Sequence, residues 1–279
     1  MSVRTYIKAN QPWWRIDWRE VWEYRELLWN LVCRDFVTVY KQTILGPVWF
    51  IFQPLATTIT FTIIFGNLAK IPTDNLPPFL FYMSGTVLWT YFQACMDTVS
   101  NSLVANSGIF GKVYFPRIIP PIAVVINNLA RLAINLMLFL AFWLFFIFAR
   151  KTTITPNLLI IVFPLMAIHC AGLGLGMGLW LSSLTAKYRD ISFALPFIAQ
   201  LWMYATPVVY PASIIPEGFR WWISLNPMAS VIELNRYAFL GQGTLYPEAI
   251  ASNFIVMLVI LFTGILQYNR VQRTFIDTI

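Results

Sequence analysis

The sequence predicts an all-α integral membrane protein: six transmembrane helices, an amino-terminal amphipathic interface helix, and short re-entrant helices between spans five and six. Three observations predict it. Of 279 residues, 58% are hydrophobic and only 11% charged, against about 25% charged in an ordinary soluble domain. Charges leave uncharged runs at 42–69, 75–96, 132–149, 152–186, 191–216 and 249–269, and about 20 mainly apolar residues suffice for a helix to cross a bilayer. None of these runs alternates with period two, so they read as helices and exclude a closed barrel.

Residues 1–41 form a cytoplasmic segment in which Trp14, Trp18, Val21, Trp22, Trp29, Val32 and Phe36 recur at helical spacing opposite Arg19, Glu20, Glu23 and Glu26. That pattern is expected of a helix lying in the headgroup layer. Residues 42–279 form the transmembrane domain, with spans at about 46–69, 78–97, 118–149, 156–184, 192–210 and 249–268. The third span reaches full length by extending back through Arg131. With both termini inside, thirteen basic residues fall on the cytoplasmic side and five outside, in accord with the positive-inside rule. The net charge of +7 therefore reads as topology and contact with anionic lipid, not as a nucleic-acid footprint.

Between spans, a Pro-rich turn holds Pro72, Pro77 and Pro78. The Asn- and Ser-rich stretch 101–117 is too polar to span, and is either a partner-docking loop or a solvated linker. Span three carries Asn127, Asn128, Arg131 and Asn135; intramembrane charge marks function by default, or Arg131 pairs with Asp97 or with backbone carbonyls. Gly172, Gly174, Gly176 and Gly178 in span four make two small-xxx-small pairs, expected to bring helices close. His169 reads as an interhelical hydrogen-bond donor. Pro196 and Pro207 interrupt span five. Residues 211–247 are too apolar for a free loop and too punctuated by Pro216, Pro227, Gly241 and Gly243 for a span, so they are placed as re-entrant helices, with Glu233 and Arg236 pairing at i, i+3.

Several chemistries lack their residues. Gly111-Lys112 is followed by Val113, and Asn106 stands where a P-loop has its first glycine. No HExxH or GxSxG motif occurs, and Cys33, Cys95 and Cys170 have no metal-site spacing, so no metal, cofactor or catalytic residue is expected. A transport subunit powered by a separate ATPase fits this inventory; a membrane-embedded glycan-lipid transferase or polymerase is the alternative, with Asp97 and Asp190 as its acidic candidates.

The run Arg34-Asp35-Phe36, then 40–47 (Tyr-Lys-Gln-Thr-Ile-Leu-Gly-Pro), Trp49 and Gln53-Pro54 resembles the start of the first span in permeases of polysaccharide-exporting ABC transporters of the type 2 class. Ala105-Asn106, Lys112-Val113-Tyr114-Phe115-Pro116-Arg117, Tyr188-Arg189-Asp190, Thr206-Pro207-Val208-Val209-Tyr210 and Leu225-Asn226-Pro227-Met228 extend the match along most of the chain. The resemblance implies a homodimer in the bacterial inner membrane, driven by two copies of a nucleotide-binding subunit that binds ATP and magnesium. The implied cargo is a polyprenyl-linked polysaccharide, typically O antigen on undecaprenyl pyrophosphate; teichoic acid, capsule and small lipid or drug permeases are the neighbouring possibilities.

On this reading Trp49, Phe52, Phe61, Trp89, Tyr91, Phe92, Trp202 and Tyr204 are candidates to line a sugar conduit, each alternatively a packed or lipid-facing ring. Arg34, Tyr40, Lys41, Gln42 and Gly46 are candidates for a lipid-head portal. Asn106, Phe110, Lys112 and Tyr114 are candidates for ATPase coupling, and Tyr210, Trp221, Trp222, Glu233 and Arg236 for an outer gate.

Overall fold

A computed structural model of the chain describes residues 18–41, 48–110, 114–150, 152 and 154–275, without the side chains of 39–41 and 273–275. Among the described residues every regular element is helical. The amino-terminal helix runs as α1 (Trp18–Glu23) and α2 (Arg25–Lys41), joined through Tyr24. It has three faces where two were expected. Leu31 and Val32 are buried, with Val21, Tyr24, Leu27 and Leu28 packed beside them, whereas Trp18, Trp22 and Trp29 form an exposed stripe alongside. Val21 and Val32 thus leave the tryptophan face to dock on the protein; Trp14 lies outside the described residues. Cys33 of α2 is exposed, whereas Cys95 and Cys170 are buried.

Helix α3 (Val48–Phe61) continues as a π-helix, Thr62–Leu68. α4 (Pro78–Ser100) opens on a proline, which lacks the N–H a first turn cannot pair anyway. Two short helices, α5 (Ser102–Ala105) and α6 (Ser107–Phe110), fill the loop before α7 (Ile119–Phe148). α8 (Phe163–Thr185) follows a 3₁₀ turn at Leu158–Val162. α9 (Ile191–Ala205) passes through Pro196 without ending, contrary to the expected interruption. It stops before Pro207, with Thr206 extended, because a residue preceding proline is pushed out of the helical region. α10 (Arg220–Leu225), α11 (Ala229–Leu240) and α12 (Pro247–Phe275) complete the chain.

Among the described residues four helical stretches are long and apolar enough to cross a membrane: Val48–Leu68, Ile119–Phe148, Leu158–Thr185 and Pro247–Gln272. α4 has the length but less apolar character, and α9 has 15 residues, about 22 Å at 1.5 Å per residue. α4 is the central helix. Leu80 through Trp89 are all buried, as expected of a helix surrounded by protein on every side.

The glycines of α8 explain how α4 can be so enclosed. A Cβ on Gly174 would sit 2.7 Å from Cys95 Cβ, and one on Gly178 2.6 Å from Val99 Cβ, both on α4. A Cβ on Gly172 would sit 2.8 Å from Met257 Sδ, and one on Gly176 2.6 Å from Leu261 Cα, both on α12. Residues two apart on a helix point about 200° apart, so each small-xxx-small pair serves a different neighbour. Gly264 on α12 in turn abuts the Gly176 carbonyl. We expect Gly176→Leu to lower stability by about 1–3 kcal/mol or more, since the obstructing atoms are backbone and cannot swing aside. Gly218→Ala, with nothing within 4 Å, should leave it unchanged; thermal unfolding of the solubilised protein, followed by size exclusion, checks both.

Candidate functional site

Three regions contain the residues singled out from the sequence. The first is an exposed apolar and aromatic surface on α3 and α9. Trp49 and Phe52 are 49% and 57% exposed and meet edge to face at 5.6 Å. On α9, Phe193, Phe197, Leu201 and Tyr204 are all exposed, Phe193 by 83%, at spacings of four, four and three that place them on one helical face. Phe65, in the π-helical turn of α3, meets Tyr204 at 6.2 Å between ring centroids and so joins the two helices. π-Turns recur at functional sites. Phe193, Phe197 and Leu201 were absent from the sequence-based lining set, although their helical spacing is a detectable signal.

Four candidate lining residues lie elsewhere. Phe61, Trp89, Tyr91 and Phe92 are buried in the main core, so in this conformation they reach no conduit. Trp89 and Phe92 pack against the half-buried Trp202 at 5.9 and 5.1 Å, both edge to face. Trp202 donates its indole N–H to Asn226 Oδ1 at 3.3 Å, tying α9 to the segment after it. The chemical reason for the difference is that an aromatic ring satisfies a protein interior as well as it satisfies a lipid or sugar contact.

The second region is the segment between α9 and α12. Glu233 and Arg236 form the expected i, i+3 pair at 2.7 Å, each side chain 1% exposed. Arg236 also donates to the carbonyls of Pro207 at 2.5 Å and Val208 at 2.6 Å, and its guanidinium lies 3.8 Å from the centroid of the Phe81 ring. Glu233 accepts from the backbone N–H of Ala212 and of Thr244, at 3.3 and 3.0 Å. One buried pair thus gathers the end of α9, the turn after it and the strand of chain after α11. Gly85 of α4 leaves room for it, since a Cβ there would lie 3.0 Å from Arg236 Nη2. Gly241 ends α11 at φ +72°, a left-handed position that favours glycine. Tyr210 is half-buried, and Trp221 and Trp222 are exposed, the latter donating to the Ala205 carbonyl at 2.9 Å. His169 Nε2 donates to the Pro227 carbonyl at 2.9 Å, and Asn253 Nδ2 to Ser230 Oγ at 2.6 Å and the Asn226 carbonyl at 3.0 Å.

The third region is a platform at the opposite end of the bundle. Asn106 and Phe110 are buried; Asn106 Nδ2 donates to the Ser102 carbonyl at 2.8 Å, and Phe110 packs on Phe115, with the Arg117 guanidinium over the Phe110 ring at 5.7 Å from its centroid. Leu31 and Val32 of α2 join the same cluster, and Tyr24 donates its hydroxyl to the Tyr114 carbonyl at 3.4 Å. Tyr114 itself is exposed. Partial desolvation of its hydroxyl, then the nearby Glu20 carboxylate, pushes its phenol above the ordinary value. Arg34 is exposed and holds Asp35 through two nitrogens, at 2.7 and 2.8 Å. Lys112, Gln42, Gly46 and the side chains of Tyr40 and Lys41 lie outside the described residues.

These regions belong to one helical membrane domain with an exposed aromatic surface and a helical platform at one end. The family model described as ABC-2 type transporter matches residues 26–240, and the chain belongs to that family. Among its relatives, the O-antigen export system permease protein RfbA of Klebsiella pneumoniae is 27% identical over 90% of this chain and 94% of its own. The protein of the same name from Myxococcus xanthus is 24% identical over 94% and 98%, and the polysialic acid transport protein KpsM of Escherichia coli 25% over 89% and 94%.

Removing one partner of a buried ion pair strands the other. We expect Arg236→Leu to destabilise the protein by about 3–5 kcal/mol, read as a lower thermal midpoint in detergent. Trp221→Ala, at an exposed ring, should shift the midpoint far less.

Proposed function

We propose that the protein is the membrane subunit of an ATP-driven exporter that moves a lipid-linked polysaccharide, foremost O antigen on undecaprenyl pyrophosphate, across the bacterial inner membrane. Family membership and relatives named for O-antigen and polysialic acid transport support the class. The observation that carries the cargo is the exposed aromatic surface shared by α3 and α9. A sugar ring's C–H hydrogens are drawn weakly to the negative face of an aromatic ring, so a row of rings holds a polymer without stopping it.

On this proposal two copies associate, with the α3 and α9 surfaces facing a path between them, and α4 and α9 complete six spans per copy with both termini cytoplasmic. The segment 211–247 dips into the outer leaflet, where Tyr210 at its start, with Trp221 and Trp222, gates the exit. Arg34, with Tyr40, Lys41, Gln42 and Gly46, receives the lipid head. ATP and magnesium are bound by a separate subunit, two copies of which dock at the platform built by α1, α2, α5 and α6. Closure of the ATPases would move α1 and α2 as a rigid body, a familiar way to couple a nucleotide site to a distant pore.

Co-purification with a candidate nucleotide-binding partner, followed by ATP-dependent movement of lipid-linked glycan in vesicles, tests the function directly; ATP-independent movement, or none with a partner bound, would refute it. Trp49→Ala with Phe52→Ala should slow glycan release several-fold, an effect of the order of losing one or two aromatic contacts, while leaving protein levels normal. Trp89→Ala, by contrast, should reduce the amount of folded protein.

A further inference from the structure

Helix α3 with its π-helical turn, Val48–Leu68, and helix α9 contain no Asp, Glu, Lys, Arg or His, yet each presents amides and hydroxyls within its apolar length. At 100° per residue, Trp49, Gln53, Thr57 and Thr60 of α3 fall within about 80° of one another. Trp49, Gln53 and Thr60 are exposed and Thr57 is half-buried. Val48, Phe52 and Ile59, exposed as well, point about 120° away from that line. The helix thus carries a polar stripe beside an apolar one. Thr57 turns its hydroxyl back to the Gln53 carbonyl at 3.0 Å, but among the described residues the Gln53 amide and the Thr60 hydroxyl have no hydrogen-bond partner. On α9, Gln200 shares a face with Phe197 and Tyr204 and donates to the Tyr204 oxygen at 2.9 Å, which leaves its carbonyl oxygen and the Tyr204 O–H for a ligand.

We infer that these two polar faces bind the hydroxyl groups of an uncharged glycan as it moves along the aromatic surface, and that they disfavour a polyanionic one. An amide facing hydrocarbon forfeits the hydrogen bonds that water would give it, so Gln53 and Thr60 need a polar occupant, whereas Val48, Phe52 and Ile59 need none. A sugar has two unlike sides, an apolar C–H face and a rim of hydroxyls. Each helix offers both complements together: the Trp49 ring one turn from the Gln53 amide, and the Tyr204 ring beside Gln200. Every one of these groups is neutral. With no cation on either helix, a carboxylate-bearing polymer would lose hydration and gain no charge-assisted partner, while neutral hydroxyls exchange water for amides at little cost. A second copy is the other possible occupant, because amides and hydroxyls also join membrane helices. Such contacts use small residues that let backbones approach, and the bulk of Trp49 within the stripe holds them apart. The inference rests on the transport proposed above and narrows its cargo.

Cysteine accessibility tests it in the full-length protein, with Cys33 replaced by serine, in lipid nanodiscs with the ATPase bound. A permanently charged methanethiosulfonate should label Gln53→Cys and Thr60→Cys about tenfold faster than Val48→Cys and Ile59→Cys, because a thiol reacts as its thiolate, which apolar surroundings suppress. Undecaprenyl pyrophosphate carrying a short mannan should slow labelling of the polar stripe several-fold. The same carrier with alternate mannoses oxidised to mannuronate should slow it far less. Thr60→Cys, close in shape to threonine, decides the matter alone should Gln53→Cys fail to fold. Equal labelling of the two stripes overturns the inference, as does a spontaneous disulfide between copies in Gln53→Cys with no labelling, the sign of a dry contact. Equal protection by the two glycans, or protection by neither, overturns it as well. In each of these cases the transport proposal stands if the vesicle assay shows ATP-dependent export and falls if it does not, so the two failures are distinct.

Discussion

Four glycines spaced two residues apart on α8 let α4 and α12 approach it from opposite sides, and the positions of the other helices follow from that contact. In lipid no hydrophobic force draws helices together, so backbone approach and close packing must do it. Gly174 and Gly178 admit Cys95 and Val99 of α4, while Gly172 and Gly176 admit Met257 and Leu261 of α12. With α4 enclosed, its rings form the main core and α3, α7, α9 and α11 assemble around it. The helices at the edge, α3 and α9, are left with apolar surfaces that no other part of the described chain covers.

Where helices stop between α9 and α12, side chains take over the backbone's hydrogen bonding. The turn after α9 leaves the carbonyls of Pro207 and Val208 without helical partners, and Arg236 supplies the donors. Asn226, Asn253 and His169 meet other carbonyls and polar side chains of the same segment. The segment between α9 and α12 is therefore a built structure fixed to α4, α8 and α12, a stiff base for the gate proposed for its exposed rings.

The helical class, the two glycine pairs and the Glu233–Arg236 pair were legible because each rests on spacing, and spacing survives without knowledge of neighbours. Burial was less legible. Trp89, Tyr91 and Phe92 resemble conduit residues in composition, yet α4 is surrounded by protein, and hydropathy cannot distinguish a protein interior from lipid. Their helix offers one hint, since its apolar residues run round all faces together with Ser84, Gly85, Thr86 and Thr90, small or polar groups suited to close contact. Phe193, Phe197 and Leu201 carry the reverse lesson: residues with no polar handle line the exposed face of α9, and only their periodicity announces it. The three-faced amino-terminal helix was half legible, its charged side evident and its docking side hidden because valine and leucine serve lipid and protein alike.

On the proposed function, a rigid glycine-packed centre carries the exposed aromatic surface of α3 and α9, and two such surfaces, one from each copy, would border the path. Spin-label distances test this most directly, with Ile59 of α3 labelled for the pair between copies and Ile168 with Val259 for a pair within one copy, in lipid nanodiscs with the ATPase bound and Cys33 replaced by serine. The account predicts an α3-to-α3 distance that changes between nucleotide-free and ATP-trapped states while the α8-to-α12 distance stays constant. No dipolar signal between copies, or a change confined to the α8–α12 pair, would contradict it.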